Sequence, residues 1–391
     1  MNAGWFIKFS IWFYIAFFVV SLLGYIIFRF NSLSLDVLAC YFIYVISFVF
    51  GTTLGSTLKP VKIKTWHIDS RKVLNILLPL SASAIFLGWY YMINHYGALS
   101  YIIAHSHDVR GETIGDGIQI IPTAVSYLSC FGNVGFVLSV SRFYHKRERR
   151  DLYIAICFAI LILMVDLQSF GRVGILFIIF VLVGCVSLFR IKIKLLKLLI
   201  SGFALLFILM LPRWIRGGSS LEGVSDTYLP YLQFKLPSFC DPFVSLYAYY
   251  FSGLFAFNEL LNDDVPLWMG QRNFSSLVNL FHRFFVSETE FHRVTIIANP
   301  VNIPYSINIY SILGEAYMDF GILGLIILPL FFGSCIGMFY KYRGVYADAL
   351  KLVFVGWLFY TPIYNLFSFG GFMFAYMFLA FMTLTTKSNE A

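Results

Sequence analysis

Long apolar runs separated by short polar or basic connections dominate the chain. Runs of about 18 or more apolar residues read as membrane-spanning helices. They place helices at about 9–28, 34–57, 73–94, 118–141, 151–168, 172–189, 195–212, 321–340, 348–366 and 370–386. The pattern breaks once, between Arg213 and Phe320, where polar and aromatic residues mix. Inside that stretch, Asp241–Leu261 is nearly uncharged and long enough to span. Its Pro, Ser, Gly and Tyr content instead favours a helix that lies at the interface or dips into it. In Ser275–Phe285, Leu277, Val278, Phe281, Phe284 and Phe285 recur at helical spacing beside His282 and Arg283, a second amphipathic helix. The predicted fold is an all-α polytopic membrane protein, with about ten transmembrane helices and a large external loop carrying interfacial helices. No repeat or soluble domain interrupts it, so 1–391 reads as one membrane domain with 213–320 as its cap.

Charge then sets the topology. Lys59, Lys62, Lys64, Arg71 and Lys72 fill the second connection, and Arg142, Lys146, Arg147, Arg149 and Arg150 the fourth. Arg190, Lys192, Lys194 and Lys197 fill the sixth, and Lys341, Arg343 and Lys351 the eighth. With Lys8 and Lys387 at the ends, all fall on one side of a ten-helix path. The positive-inside rule makes that side cytoplasmic, with both termini on it. The net charge of +8 is therefore topology and not the footprint of a nucleic-acid partner. Composition agrees: 59% of residues are hydrophobic and 12% charged, against about a quarter charged in soluble domains. After Lys8 the sequence stays apolar to Phe28 with no small-x-small cleavage site, so the first run reads as a retained helix. Cys40, Cys130, Cys157, Cys185 and Cys335 fall in predicted spans and only Cys240 in a loop, which excludes a disulfide framework and a paired-cysteine metal site.

The basic residues left outside are Arg29, Arg110, Arg172, Arg213, Arg216, Lys235, Arg272, Arg283 and Arg293. Arginine dominates them, whereas lysine dominates inside. A planar, permanently charged fork suits bidentate contact with phosphate; pairing with outer acids is the competing account. Arg172 sits in a turn too short to let its side chain wander, after Asp166, an ionisable group inside a predicted helix and a functional candidate by default. The two also have the right positions simply to pair and close the hairpin. Arg213 and Arg216 stand three apart before Gly217-Gly218, where backbone can approach an anion closely; snorkelling at a helix end explains them as well. Glu315 and Asp319, four apart at the outer start of the eighth helix with Tyr317 between, share one helical face. They serve either as caps near a helix N-terminus or as a general base and an arginine-orienting carboxylate. His282 and His292 are further acid–base candidates. His105-Ser-His107-Asp108 lacks a third ligand at a telling spacing, and no P-loop, Gly-x-Ser-x-Gly or His-Glu-x-x-His is present, so no metal and no cofactor are expected.

Tyr250-Phe-Ser-Gly-Leu-Phe-Ala-Phe-Asn258, Tyr310-Ser-Ile-Leu-Gly-Glu-Ala-Tyr-Met-Asp-Phe-Gly-Ile-Leu-Gly324 and the Ser-Phe-Gly-Arg172 turn resemble the O-antigen polymerase (Wzy) family. The whole layout does too, with its large loop late in the sequence. Arg213 reaches Gly223 one residue short of the Arg-x10-Gly spacing of some members. The resemblance implies a glycosyltransferase at the periplasmic face of a bacterial inner membrane. Its donor and acceptor are undecaprenyl-diphosphate-linked oligosaccharides, its surroundings membrane lipid, and a chain-length regulator protein is an expected partner. A growing glycan passes from its diphosphate carrier to the non-reducing end of a new repeat unit, by inverting, metal-independent transfer. It further implies Arg172, Arg213, Arg216 and Arg293 on the diphosphate, Glu315, Asp319 or Asp166 as catalytic carboxylate, and Tyr250, Asn258, His282, His292 and Tyr317 along the sugar cleft. An O-antigen ligase with the same donor, a flippase of the same pathway, or a structural membrane partner of a polysaccharide export complex are the alternatives; a flippase is expected to have more helices and no long external loop, and a structural partner gives no reason for the outer arginine bias.

Overall fold

The structure, a computed structural model, describes residues 3–30, 32–59, 66–110, 120–168, 171, 173–189, 191, 229–233, 241–263, 266–285, 301–303, 305–307, 310–365 and 370–386. Its helices are α1 (Ala3–Leu22), α2 (Gly24–Ile27), α3 (Leu35–Thr57), α4 (Ser70–Tyr96), α5 (Leu99–Ala104), α6 (Ser106–Arg110), α7 (Thr123–Ser129), α8 (Phe131–Lys146), α9 (Arg149–Gln168) and α10 (Val173–Leu188). Later in the chain come α11 (Asp241–Phe251), α12 (Gly253–Asn262), α13 (Ser275–Phe285), α14 (Ser311–Phe320), α15 (Gly324–Phe339), α16 (Val345–Tyr360) and α17 (Gly370–Thr385). One two-residue hairpin, Val301–Asn302 against Ser306–Ile307, interrupts them. Among the described residues, six stretches are long and apolar enough to cross a membrane: Ala3–Ile27, Leu35–Thr57, Ser70–Tyr96, Ala124–Lys146, Arg149–Gln168 and Ser311–Phe339. Val173–Leu188 and Phe372–Thr385 are shorter apolar helices. The chain is thus a largely helical membrane protein. The run at 195–212 lies outside the described residues.

Local signals start and stop these helices. The Ser34 side chain accepts the Val37 N–H at 3.3 Å to open α3, and Asp69 accepts the Arg71 N–H at 2.9 Å to open α4. Gly97, at φ 86°, closes α4 with its N–H on the Ile93 carbonyl.

The chain divides into two compact units, each discontinuous in sequence. The first comprises Met1–Pro60, Glu222–Lys341 and Trp357–Phe369. At its heart α3 and α15 touch backbone to backbone. A Cβ on Gly51 or Gly55 would collide with the carbonyls of Leu330 or Ser334, and one on Gly333 or Gly337 with those of Phe48 or Thr52. Small residues spaced four apart on both helices make this approach possible, the usual device where lipid supplies no hydrophobic drive between helices. Around the seam, Tyr14, Tyr44, Phe48 and Trp357 are buried, and the Tyr41 hydroxyl donates to the Tyr14 carbonyl at 2.6 Å. The 241–261 stretch breaks at Ser252 into α11 and α12, of 11 and 10 residues. Each rises only about 15–17 Å, roughly half a hydrocarbon core, so neither crosses alone. Ser275–Phe285 is a helix with the bounds expected of it.

The second unit comprises Val61–Leu221, Tyr342–Gly356 and Gly370–Ala391. Two of the basic residues assigned to connections by charge counting are buried within helices here. Arg142 is buried in α8, its Nε 3.0 Å from both Asp151 oxygens and its Nη1 2.9 Å from the Ser70 hydroxyl. Lys351 is buried in α16 and donates to Asp348 and to the Tyr342 carbonyl, each at 2.8 Å. Partners at bonding distance let these charges leave water, so they tie helices together as well as marking a side.

Candidate functional site

The densest polar cluster among the described residues lies in the first unit, around α14. Ser311 opens this helix in the left-handed region (φ 58°), with the Ile312 N–H on the Thr361 carbonyl at 2.8 Å. Gly321 ends it at φ 59° and ψ −145°, a conformation glycine adopts at low cost, and the chain turns before α15. Glu315 and Asp319 therefore do not sit at the N-terminus of one long helix, as the sequence had placed them. They belong to the middle and last turn of a short helix of its own, where the dipole does not favour an acid. Instead the segment 268–275 supplies the compensation.

That segment straps across α14. The Trp268 and Met269 N–H groups donate to the Met318 and Asp319 carbonyls, both at 2.9 Å. The Asp319 carboxylate accepts the backbone N–H groups of Arg272 (3.0 Å) and Asn273 (2.9 Å) and the Asn273 side-chain amide (2.7 Å). Arg272 reaches Glu315 with Nε and Nη2 at 3.3 and 3.4 Å, while its guanidinium stands 5.9 Å from the centre of the Trp268 ring. Asn273 also donates to the Glu315 carbonyl at 2.9 Å. A third segment joins: Asn365 donates to the Asn273 side-chain oxygen at 2.8 Å and accepts from the Trp357 indole at 2.9 Å. Glu315 is 1% exposed and Asp319 0%. Burial of both acids is tolerable because Glu315 is paired with Arg272 and three N–H donors fill Asp319. As it stands, the pair holds three distant stretches of chain together.

The two longer stretches that carry the family resemblance meet here. α12 packs on α14, with the Phe257 and Tyr317 rings edge to face at 5.8 Å. Gly253 lies where a Cβ would come within 2.9 Å of the Ser311 nitrogen and the Pro362 oxygen. The Tyr250 hydroxyl donates to the Phe359 carbonyl, and the Asn258 side chain accepts the Ser34 N–H at 2.9 Å. Tyr250, Asn258, Glu315, Tyr317 and Asp319 thus share one unit. His282 lies on α13. Arg172, Arg213, Arg216, Arg293 and His292 lie outside the described residues.

Asp166 belongs to the second unit. Its carboxylate spans the hairpin and accepts the N–H groups of Gly174 (2.9 Å) and Ile175 (2.7 Å) at the start of α10. Gly171 donates to the Asp166 carbonyl at 2.8 Å. An acid at a helix N-terminus satisfies orphan donors and meets the positive end of the dipole. Asp166→Ala is accordingly expected to cost about 1–2 kcal/mol as a lost cap, read as a lower melting temperature of the purified protein. Asp166→Ser, which restores an acceptor, recovers part of it.

Arg272 was one outer arginine among several in the sequence, and Asn365 and Trp357 carried no signal. The polar run Gln271-Arg272-Asn273 just before the amphipathic α13 was the hint. Among the described residues no group of three or more His, Cys, Asp or Glu is placed to hold a metal ion. No protein-family model, no curated protein and no solved structure matches the chain.

Proposed function

We propose that this protein is an O-antigen polymerase of a bacterial inner membrane, with ten spans, both termini cytoplasmic and its working face periplasmic. Support comes chiefly from one observation: the stretches 250–258 and 310–324, distant in sequence and alike in their resemblance, pack on each other, and the second carries the two acids of the buried polar clasp. The outer arginine bias is consistent with a diphosphate-linked substrate.

In the proposed reaction the bond from the anomeric carbon of the growing glycan to its diphosphate breaks, and the diphosphate leaves with the electron pair. The hydroxyl at the non-reducing end of a new lipid-linked repeat unit forms the glycosidic bond and gives up its proton to a general base. Arg172, Arg213, Arg216 and Arg293 are proposed to neutralise the leaving diphosphate, where fixed charges act without reorganising. Glu315 and Asp319 enter as positioning carboxylates that fix α14 and its strap, because their oxygens are already engaged. A chain-length regulator is proposed to act on the product.

The direct test supplies the purified chain, in lipid nanodiscs, with polyprenyl-diphosphate-linked single repeat units. Products of two or more repeats are expected from the wild type, and Arg172→Ala is expected to slow their formation roughly 100-fold. Wild-type protein that returns only the starting unit would end the proposal.

A further inference from the structure

The turn 266–270 lies over the C-terminal end of α14, held there by the Trp268 and Met269 amides. Two of its side chains point away from the protein: Leu267 is 49% exposed and Met269 68%. Met269 does so from the left-handed region, φ 51°, which is costly for a side chain of its size. Beside it, the corner after Gly321 presents Ile322 at 59% and Leu323 at 62%. A Cβ on Gly321 would lie 3.9 Å from Leu267 Cδ2, so turn and corner are neighbours. The apolar surface continues along α15 through the exposed Ile326 and Ile327.

That continuity identifies what covers it. α15 belongs to one of the stretches long and apolar enough to cross a membrane, and in a bilayer the exposed face of such a stretch would meet acyl chains. The same face runs onto the corner and the turn without a polar side chain between Gly321 and Leu328. In water so contiguous an exposed apolar patch would be a liability. Hydrocarbon also demands that backbone polar groups find partners within the protein. The N–H groups of Trp268, Met269, Gln271, Arg272 and Asn273 all have them.

We propose that Leu267, Met269, Ile322 and Leu323 form a wedge immersed in the acyl-chain region of one leaflet, with phospholipid tails as its ligand. The charge pattern makes that leaflet the outer one. The wedge does not depend on the glycan chemistry proposed above. If both hold, α14 and its strap stand beside the leaflet through which a lipid-linked substrate arrives.

The test places an environment-sensitive fluorescent amino acid at position 269, and separately at 323, in the full chain in phospholipid nanodiscs. Phe331 on the exposed face of α15 serves as bilayer reference and the exposed Lys59 as aqueous reference. Lipids carrying a quencher on their tails are expected to quench 269 and 323 as they quench 331, with iodide ineffective at all three. Quenching of 269 and 323 by iodide, as at 59, overturns the proposal. Protection from both quenchers also overturns it, by showing that a second copy of the chain covers the patch. Because no glycan transfer is measured, failure here leaves the polymerase proposal standing, and the reverse.

Discussion

Gly55→Ala and Gly337→Ala are expected to destabilise the protein, although alanine is the better helix former by about 1 kcal/mol. Each new methyl would enter space held by a backbone carbonyl of the partner helix, Ser334 for Gly55 and Thr52 for Gly337. A carbonyl fixed in a helix cannot swing aside, so α3 and α15 must part along the whole seam. Overpacking of this kind costs about 1–3 kcal/mol and occasionally more. Gly356→Ala is the control. Its methyl would meet the Phe177 ring at 3.8 Å, an ordinary contact, so the propensity gain survives. Melting of the purified variants in detergent checks both signs. Gly55→Ala as stable as Gly356→Ala would show that the α3–α15 seam is looser than described.

The second large effect concerns the clasp. Arg272→Ala strands the Glu315 carboxylate at a site that is 1% exposed, and breaking a buried pair from one side costs roughly 3–5 kcal/mol. Replacing both members, as Arg272→Met with Glu315→Leu, is expected to cost clearly less, since neither charge is left alone. Asp319→Asn, nominally conservative, is expected to be harmful too. All three donors on Asp319 are N–H groups and occupy both oxygens, so an amide NH₂ must face at least one of them. Leaving a buried donor unmet costs about 1–3 kcal/mol. A double-mutant cycle on Arg272 and Glu315, read by melting temperature and by polymer made in cells at matched membrane levels, checks this. Additive losses would mean that the two side chains do not act as a pair.

The apolar runs were legible because lipid imposes the same demand on every position of a spanning helix; α3, α4, α9, α10 and α17 lie within a few residues of their expected bounds. α13 was legible from its helical repeat alone. The breaks were not. Ser252 divides a stretch that is apolar on both sides of it, and α12 is buried almost throughout, so periodicity had no polar face to reveal. Gly321 read as the start of a helix, whereas its left-handed φ ends one helix and turns the chain towards another. The Glu315–Asp319 face was visible from its spacing. Its partner was not: Arg272 lies 43 residues away from Glu315, and nothing local distinguishes an arginine that meets a carboxylate from one that meets solvent. Charge counting sorted Arg142 and Lys351 to a side but could not show that each is buried against its own acid.

The most direct measurement of the proposed function is the lipopolysaccharide ladder of cells lacking this protein, beside cells restored with the wild type or with Arg172→Ala at equal membrane levels. The deletion is expected to leave core carrying a single repeat unit, the wild type to restore the ladder, and Arg172→Ala to leave the single unit. An unchanged ladder in the deletion would contradict the assignment. So would bare core with polymer accumulating on the lipid carrier, the mark of a ligase.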